Sequence, residues 1–270
     1  MIDNPRSPRV RAVAKLAKKS RRHEAGMFLV EGPQAVREAL THRPEDVSDV
    51  FVTEQATTRH HDLLELAASA GINVETVTDE VLEQMADTTT PQGVIAVSQI
   101  VSHTLDEVLV GSPRLVVVLD RVSDPGNAGT IIRVAVAAGA DAVIVTEESV
   151  DIYNPKVVRS TTGSLFHIPL VTGVDCAAAE RALRRAGLQV LAADTSGESL
   201  PDLAESGDLA TPTAWLLGNE AHGLDQEVLD GADRVVSVPH YGPVESMNLA
   251  TAAAVCLFQS AFALRGGAGS

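Results

Sequence analysis

The feature that most limits the fold of this chain is a set of short apolar runs in its second half, each ending in a turn that carries Gly, Pro or Asn. "RLVVVLD" runs into "RVSDPGN", and "AWLLG" runs into "NEAHGL". A strand with one wet face alternates apolar and polar residues, whereas a strand covered on both faces reads as a nearly continuous apolar run. Further strands are expected at "DAVIVT", "HIPLV", "LQVLAAD" and "RVVSVP", with helices at "AGTIIRVAVAAG", "CAAAERALRRAG" and "NLATAAAVCLFQSAF". The pattern predicts an α/β domain with a parallel sheet and helices on both faces.

The first hundred residues alternate in a similar way. "MFLV" precedes a helix from about Pro33 to Thr41, "DVFVT" precedes "TRHHDLLELAASAG", "INVETV" precedes "DEVLEQMAD", and "GVIAVSQI" closes a four-stranded α/β unit. Around "VSHTLDEVLVGSPR" the pattern breaks, so residues 101–112 are expected to link a domain at 1–100 to one at 113–270. A length of 270 residues suits two modest domains.

The net charge of −15 argues at first against a nucleic-acid partner, because phosphate binding relies on Lys and Arg displacing counterions. The distribution of charge argues the other way: residues 1–22 hold eight basic side chains against one acid, Asp3, which is +7 locally and leaves −22 for the rest. A basic arm on an acidic body fits RNA, and a merely solvated terminal helix fits the same composition. No run approaches the roughly 18–20 uncharged apolar residues that cross a bilayer, and the N-terminus lacks a signal-peptide core, so a cytoplasmic protein without membrane contact is expected. Cys176 and Cys256 both sit in alanine-rich apolar stretches and read as small core residues. Neither a disulfide framework nor a metal site is expected.

Ligands of parallel α/β sheets bind beyond the carboxyl ends of the strands, which directs attention to the loops. Three share a composition: "LDRVSDPGNAGTIIR", "LLGNEAHGL" and "VPHYGPVESMNLA". The first supplies G-x-x-G but not the full G-x-G-x-x-G of a dinucleotide site, and Asp124 in the turn would repel a pyrophosphate, which disfavours a nicotinamide enzyme. Pro125, Gly126 and Asn127 are equally consistent with a tight turn that starts a helix. Arg133 follows among Ile131, Ile132, Val134, Ala135 and Val136, and a charge in such company needs a partner or a task. An ion pair with Glu220 is one reading and a catalytic role is the other. In the third loop Ser246 and Asn248 are helix-cap candidates, and a polar turn there runs straight into one of the most apolar helices of the chain.

Taken in order, the three loops resemble the three motifs of the SpoU/TrmH family of RNA ribose 2′-O-methyltransferases, within the SPOUT superfamily. "DPGNAGTIIRVAVAAGA", "LLGNEAHGL" and "VPHYGPVESMNLATAAA" are similar to motifs one to three, and "NPKVVRSTTGSLFHIPL" also looks like family sequence. "FLVEGPQAVREAL" resembles the start of the small RNA-binding domain that many members carry. The resemblance implies a C-terminal trefoil-knotted methyltransferase domain, preceded by a small α/β domain like that of an RNA-binding ribosomal protein. It further implies S-adenosylmethionine as cofactor, a homodimer through the knotted domain, and methylation of RNA, with 23S ribosomal RNA favoured over tRNA or a catalytically silent ribosome-assembly role. Carried over by motif position, Arg133, Asn127, Glu220, Ser246 and Asn248 are the catalytic set. Thr195, Ser196, Leu217, Gly218, Val238, Pro239 and Met247 are expected to hold the cofactor, and Arg9, Lys18, Lys19, Arg22, Lys156 and Arg159 to meet RNA.

Overall fold

The structure is a computed structural model that describes residues 1–266. The chain divides into two compact units: residues 1–101 together with 151–167, and residues 102–150 together with 168 onward.

The first unit opens with α1 (Pro8–Ala14) and α2 (Lys19–Ala25), followed by β1 (Met27–Glu31) and α3 (Pro33–His42). Then come β2 (Val47–Thr53), α4 (Glu54–Arg59), α5 (His61–Ser69), β3 (Asn73–Val77), α6 (Asp79–Met85) and β4 (Val94–Gln99). The four strands form a mixed sheet in the order β1-β4-β2-β3, with only β2 and β3 parallel. Ser7 caps α1 by accepting the Val10 amide at 3.3 Å, and Val10, Val13 and Leu16 are buried against Leu29, Phe51, Val77 and Met85. The N-terminal basic segment is therefore anchored to the unit through one apolar stripe and is not a free arm.

Arg22 corrects a sequence expectation. It is 1% exposed, donates to the Leu16 and Ala17 carbonyls, and pairs with Asp151 at 2.5 Å, so it holds the unit together and presents no charge to RNA. The partner comes from the stretch 151–167, which sequence periodicity assigns to the second domain. That stretch joins the first unit because its aromatic residues pack there: Tyr153 and Phe166 lie 4.9 and 6.3 Å from the Phe28 ring. The Tyr153 hydroxyl also donates to the Val101 carbonyl at 2.5 Å.

The second unit begins in the expected linker, where α7 (Leu105–Leu109) is started by a capping box between Thr104 and Glu107. β5 (Leu115–Leu119), α8 (Pro125–Ala138) and β6 (Ala142–Thr146) follow, then α9 (Pro155–Thr161), which belongs to the first unit. Next are β7 (Leu170–Val174), α10 (Cys176–Arg185), β8 (Gln189–Ser199), α11 (Leu200–Glu205), β9 (Thr213–Leu217), α12 (Gln226–Gly231), β10 (Arg234–Ser237) and α13 (Leu249–Gly266). All six strands are parallel, in the order β10-β8-β9-β5-β6-β7, and β5 is buried along its whole length as its apolar run requires. Val116, Val118, Ile144 and Leu216 pack against Ala179 and Leu183 of α10. On the opposite face the Trp215 indole N–H donates to the Ser260 hydroxyl of α13 at 2.9 Å, a buried bond that fixes helix to sheet.

By length and composition α13 could cross a membrane, contrary to the expectation that no run comes near, since it has 18 residues and a mean hydropathy of 1.4. One stripe of it is packed into the second unit: Ala250, Ala253, Cys256, Leu257, Ser260, Ala261 and Leu264 are buried. Burial raises the Cys256 thiol to about 12, which keeps it protonated and inert.

Candidate active site

The turn after β5 prepares the first part of the site. Asp124 accepts the Asn127 amide at 2.7 Å and caps α8, Pro125 occupies the first helical turn, and Gly139 ends the helix in the left-handed region at φ 74°. The acid that would repel a pyrophosphate is thus a helix cap. Asn127 then projects from the first turn of α8, and Arg133 lies six residues further along on its exposed side.

The loop after β9 is organised by Asn219, a residue that motif reading passes over. Its side-chain oxygen accepts the Ala221 and His222 amides at 3.0 and 3.2 Å, and its side-chain amide donates to the Arg121 carbonyl at 2.8 Å. Its backbone exchanges two hydrogen bonds with Gly223. The turn is so tight that a Cβ on Gly218 would lie 2.5 Å from the Gly223 carbonyl carbon. Glu220 is held out of this turn toward α8. One of its oxygens accepts the Ser123 amide and hydroxyl at 3.1 and 2.9 Å, and the other accepts the Asp124 amide and the Asn127 side-chain amide, both at 3.1 Å. Partial burial pushes its carboxyl pKa up, but these donors outweigh burial and the net shift is downward. Glu220 is therefore an ionised anchor for the first loop.

The third loop reaches the same point. The Asn248 side-chain amide donates to the Asn127 side-chain oxygen at 2.9 Å, while the Asn248 oxygen accepts the Thr251 amide at 3.2 Å and so starts α13. Asn127 thus receives from one loop and donates to another. Partners 93 and 121 residues away from it in the chain meet at its one amide.

Beside this junction is a cavity of about 340 Å³ in the second unit, a size in the range of small-molecule sites. Among the expected cofactor residues, Thr195, Leu217, Val238 and Met247 line it, as do Ser246 and Glu220 from the expected catalytic set. Ser196, Gly218 and Pro239 flank lining residues, and Ser196 instead binds Asp194 through its amide and hydroxyl at 2.9 and 2.7 Å. Asp194, His222 and His240 line the cavity too, and sequence reasoning missed them. Asp194 was legible in principle as the turn-forming Asp of "ADTSG".

The remaining expected residues fall in the first unit. Lys18, Lys19 and Lys156 are exposed. Arg9 is tied to Asp49 at 2.6 Å and Glu75 at 3.1 Å, with its guanidinium carbon 5.3 Å from the centre of the Phe51 ring. Arg159 pairs with Glu31 at 2.7 Å and Asp87 at 3.0 Å. Lys156 and Arg159, expected to meet RNA, stand on α9 of the first unit.

Comparison with known proteins decides the family. The model of the SpoU rRNA Methylase family matches residues 114–258, and that for RNA 2′-O ribose methyltransferase substrate binding matches residues 29–102. The chain belongs to the SpoU rRNA methylase family. It is 34% identical over 258 residues to the 23S rRNA (guanosine(2553)-2′-O)-methyltransferase RlmP of Bacillus subtilis, covering 95% of this chain and 97% of that one. The SpoU methyltransferase AviRb of Streptomyces viridochromogenes, solved in complex with AdoMet, is 30% identical with a TM-score of 0.82, covering 98% of this chain and all of that one. An AdoMet-bound rRNA methyltransferase of Sinorhizobium meliloti has a TM-score of 0.81 at 29% identity, with 96% of each chain covered.

Proposed function

We propose that this protein transfers a methyl group from S-adenosylmethionine to a ribose 2′-hydroxyl of 23S ribosomal RNA. The observation that carries the reading is the Asn127 amide, which ties Glu220 and Asn248 into one junction beside a cavity lined by the motif residues. The cavity suits the cofactor. Thr195, Asp194 and backbone groups around Leu217, Val238 and Met247 would hold it, and the acids Asp194 and Glu220 favour a cationic ligand. When bound, S-adenosylmethionine supplies an electrophilic methyl group on a sulfonium.

The chain's own residues orient and activate the nucleophile. A ribose hydroxyl is scarcely ionised near neutrality, so its attack needs positioning and relief of the charge that develops on oxygen. Arg133 does this by steering the hydroxyl and stabilising the negative charge that develops on its oxygen, and the hydroxyl proton would pass to solvent water as the oxygen takes up the methyl group. Asn127, fixed from both sides, sets the first turn of the helix that carries Arg133. Glu220 and Asn248 hold Asn127, and Ser246 faces the cavity.

RNA would be bound by the first unit, where Lys18, Lys19 and Lys156 are exposed, and a ribosomal RNA substrate puts the enzyme in the cytoplasm. The likeness to SpoU methyltransferases supports a knotted path. β10 pairs in parallel with β8, its register jumping from Val235–Ala192 to Val236–Glu198, so that residues 193–197 of β8 have no partner in β10. A homodimer is supported by apolar groups left on α13 and in the third loop, including Phe262 at 65% and Tyr241 at 90% exposure.

The test is to map 2′-O-methyl sites on total RNA with and without the gene and with an Arg133→Ala version, alongside cofactor calorimetry. One 23S rRNA site is expected to vanish in both cases while the variant still binds S-adenosylmethionine. Undiminished methylation by Arg133→Ala would remove this residue from the mechanism.

A further inference from the structure

The first unit carries a cluster that no sequence motif foreshadows. Glu38 and His42 stand one turn apart on α3, and His167 follows the short 3₁₀ turn Ser164–Phe166, 129 residues away from Glu38 in sequence. One oxygen of Glu38 lies 2.7 Å from Nε2 of His167 and 3.5 Å from Nε2 of His42, and the three potential ligand atoms all fall within 4.8 Å of one another. All three side chains remain accessible, with exposures of 23%, 42% and 30% for Glu38, His42 and His167.

We propose that Glu38, His42 and His167 form a binding site for a divalent first-row transition ion of the zinc class. Two imidazoles and one carboxylate are a recurrent donor set for such ions, and three protein ligands leave further positions to water. The surroundings hold these donors in place. The Gln34 side-chain amide donates to the other oxygen of Glu38 at 2.7 Å, and Arg37 donates to the Gln34 oxygen at 3.0 Å, so the carboxylate is oriented by an outer layer of hydrogen bonds. His167 is delivered by a turn in which Thr162 and Gly163 are both left-handed, at φ 53° and 91°. A Cβ on Gly163 would lie 2.5 and 2.6 Å from the Glu38 side chain, so glycine is what lets the turn close over that residue.

A simple ion pair explains less. An ion pair needs only one imidazole, whereas here two rings with centroids 3.9 Å apart both bring Nε2 to the same Glu38 oxygen, at 2.7 and 3.5 Å. A cation shared by both imidazoles and the carboxylate accounts for all three donors. The bound ion would fasten the turn at residue 167 to α3 within the first unit.

The experiment uses the full-length protein stripped with a chelator and titrated with cobalt(II), which reports coordination by visible absorption, and with zinc(II) by equilibrium dialysis. One equivalent per chain is expected, with affinity falling in Glu38→Gln, His42→Gln and His167→Gln by more than the roughly 10- to 100-fold that loss of an outer-layer partner costs. His61→Gln should behave as the parent, because His61, which lies 3.3 Å from Glu65, is outside the cluster formed by Glu38, His42 and His167 among the described residues. Zinc should raise the thermal midpoint of the parent and not that of the three variants. Equal midpoints in chelator would show that the variants are folded, and if His167→Gln is not, the exposed His42→Gln carries the test. No uptake by the parent, or uptake unchanged in folded variants, overturns the proposal. The readout is independent of methyl transfer.

Discussion

At the scale of the residue, the behaviour of the site hinges on Asn127, whose amide uses its oxygen for Asn248 and its nitrogen for Glu220. Alanine removes both bonds and frees two polar groups. Aspartate does worse, since it sets a second carboxylate against the ionised oxygen of Glu220 that now lies 3.1 Å from the amide nitrogen. Turnover is expected to drop by about 100-fold in Asn127→Ala, the scale of a small misplacement of reacting groups, and further in Asn127→Asp. Calorimetry should find S-adenosylmethionine affinity little changed, because Asn127 is not among the residues that line the cavity. Equal turnover in the two variants would mean that the contact with Glu220 does not matter.

At the scale of the element, the turn after β9 and the outer face of α13 each allow one substitution to speak for the whole segment. A Cβ on Gly218 would meet only backbone, at 2.5 to 2.7 Å from Gly223 and Leu224, so no side-chain rotation relieves it and the loop has to move. Gly218→Ala should therefore weaken cofactor binding by about tenfold or more while the sheet beneath survives, as measured by calorimetry and thermal unfolding. On α13 the exposed Phe262 lies beside Phe258 with ring centroids 5.8 Å apart and planes tilted by 48°, an apolar pair that water would not favour unless covered. Phe262→Arg is expected to shift the sedimentation of the protein from dimer to monomer. A parent that already sediments as a monomer would sink the dimer proposal.

At the scale of the whole molecule, the −15 net charge and the basic first 22 residues read as a basic arm on an acidic body. The fold ties that segment down, because it also supplies Val10, Val13 and Leu16 to the core of the first unit. Deleting residues 1–17 should lower the thermal transition of the protein and expose apolar surface to dye, since each buried Val or Leu side chain contributes about 1.5–3 kcal/mol through burial. A deletion mutant with an unchanged transition and weakened RNA binding would restore the arm.

The sequence by itself determined the position of the central strands, because a buried parallel strand must be apolar on both faces, as "LVVVL", "AVIVT" and "TAWLL" are. It also determined which loops matter, since turn chemistry at strand ends is written in local residues such as Asp124, Asn127 and Asn248. Only the tertiary structure decided where residues 151–167 go, that Arg22 faces inward to Asp151, that Asp194 borders the cavity, and that His167 comes to rest beside Glu38 and His42. Those outcomes depend on pairs of residues far apart in the chain. Burial and partnership are set by what packs against a side chain, and periodicity along one segment carries no record of its distant neighbours.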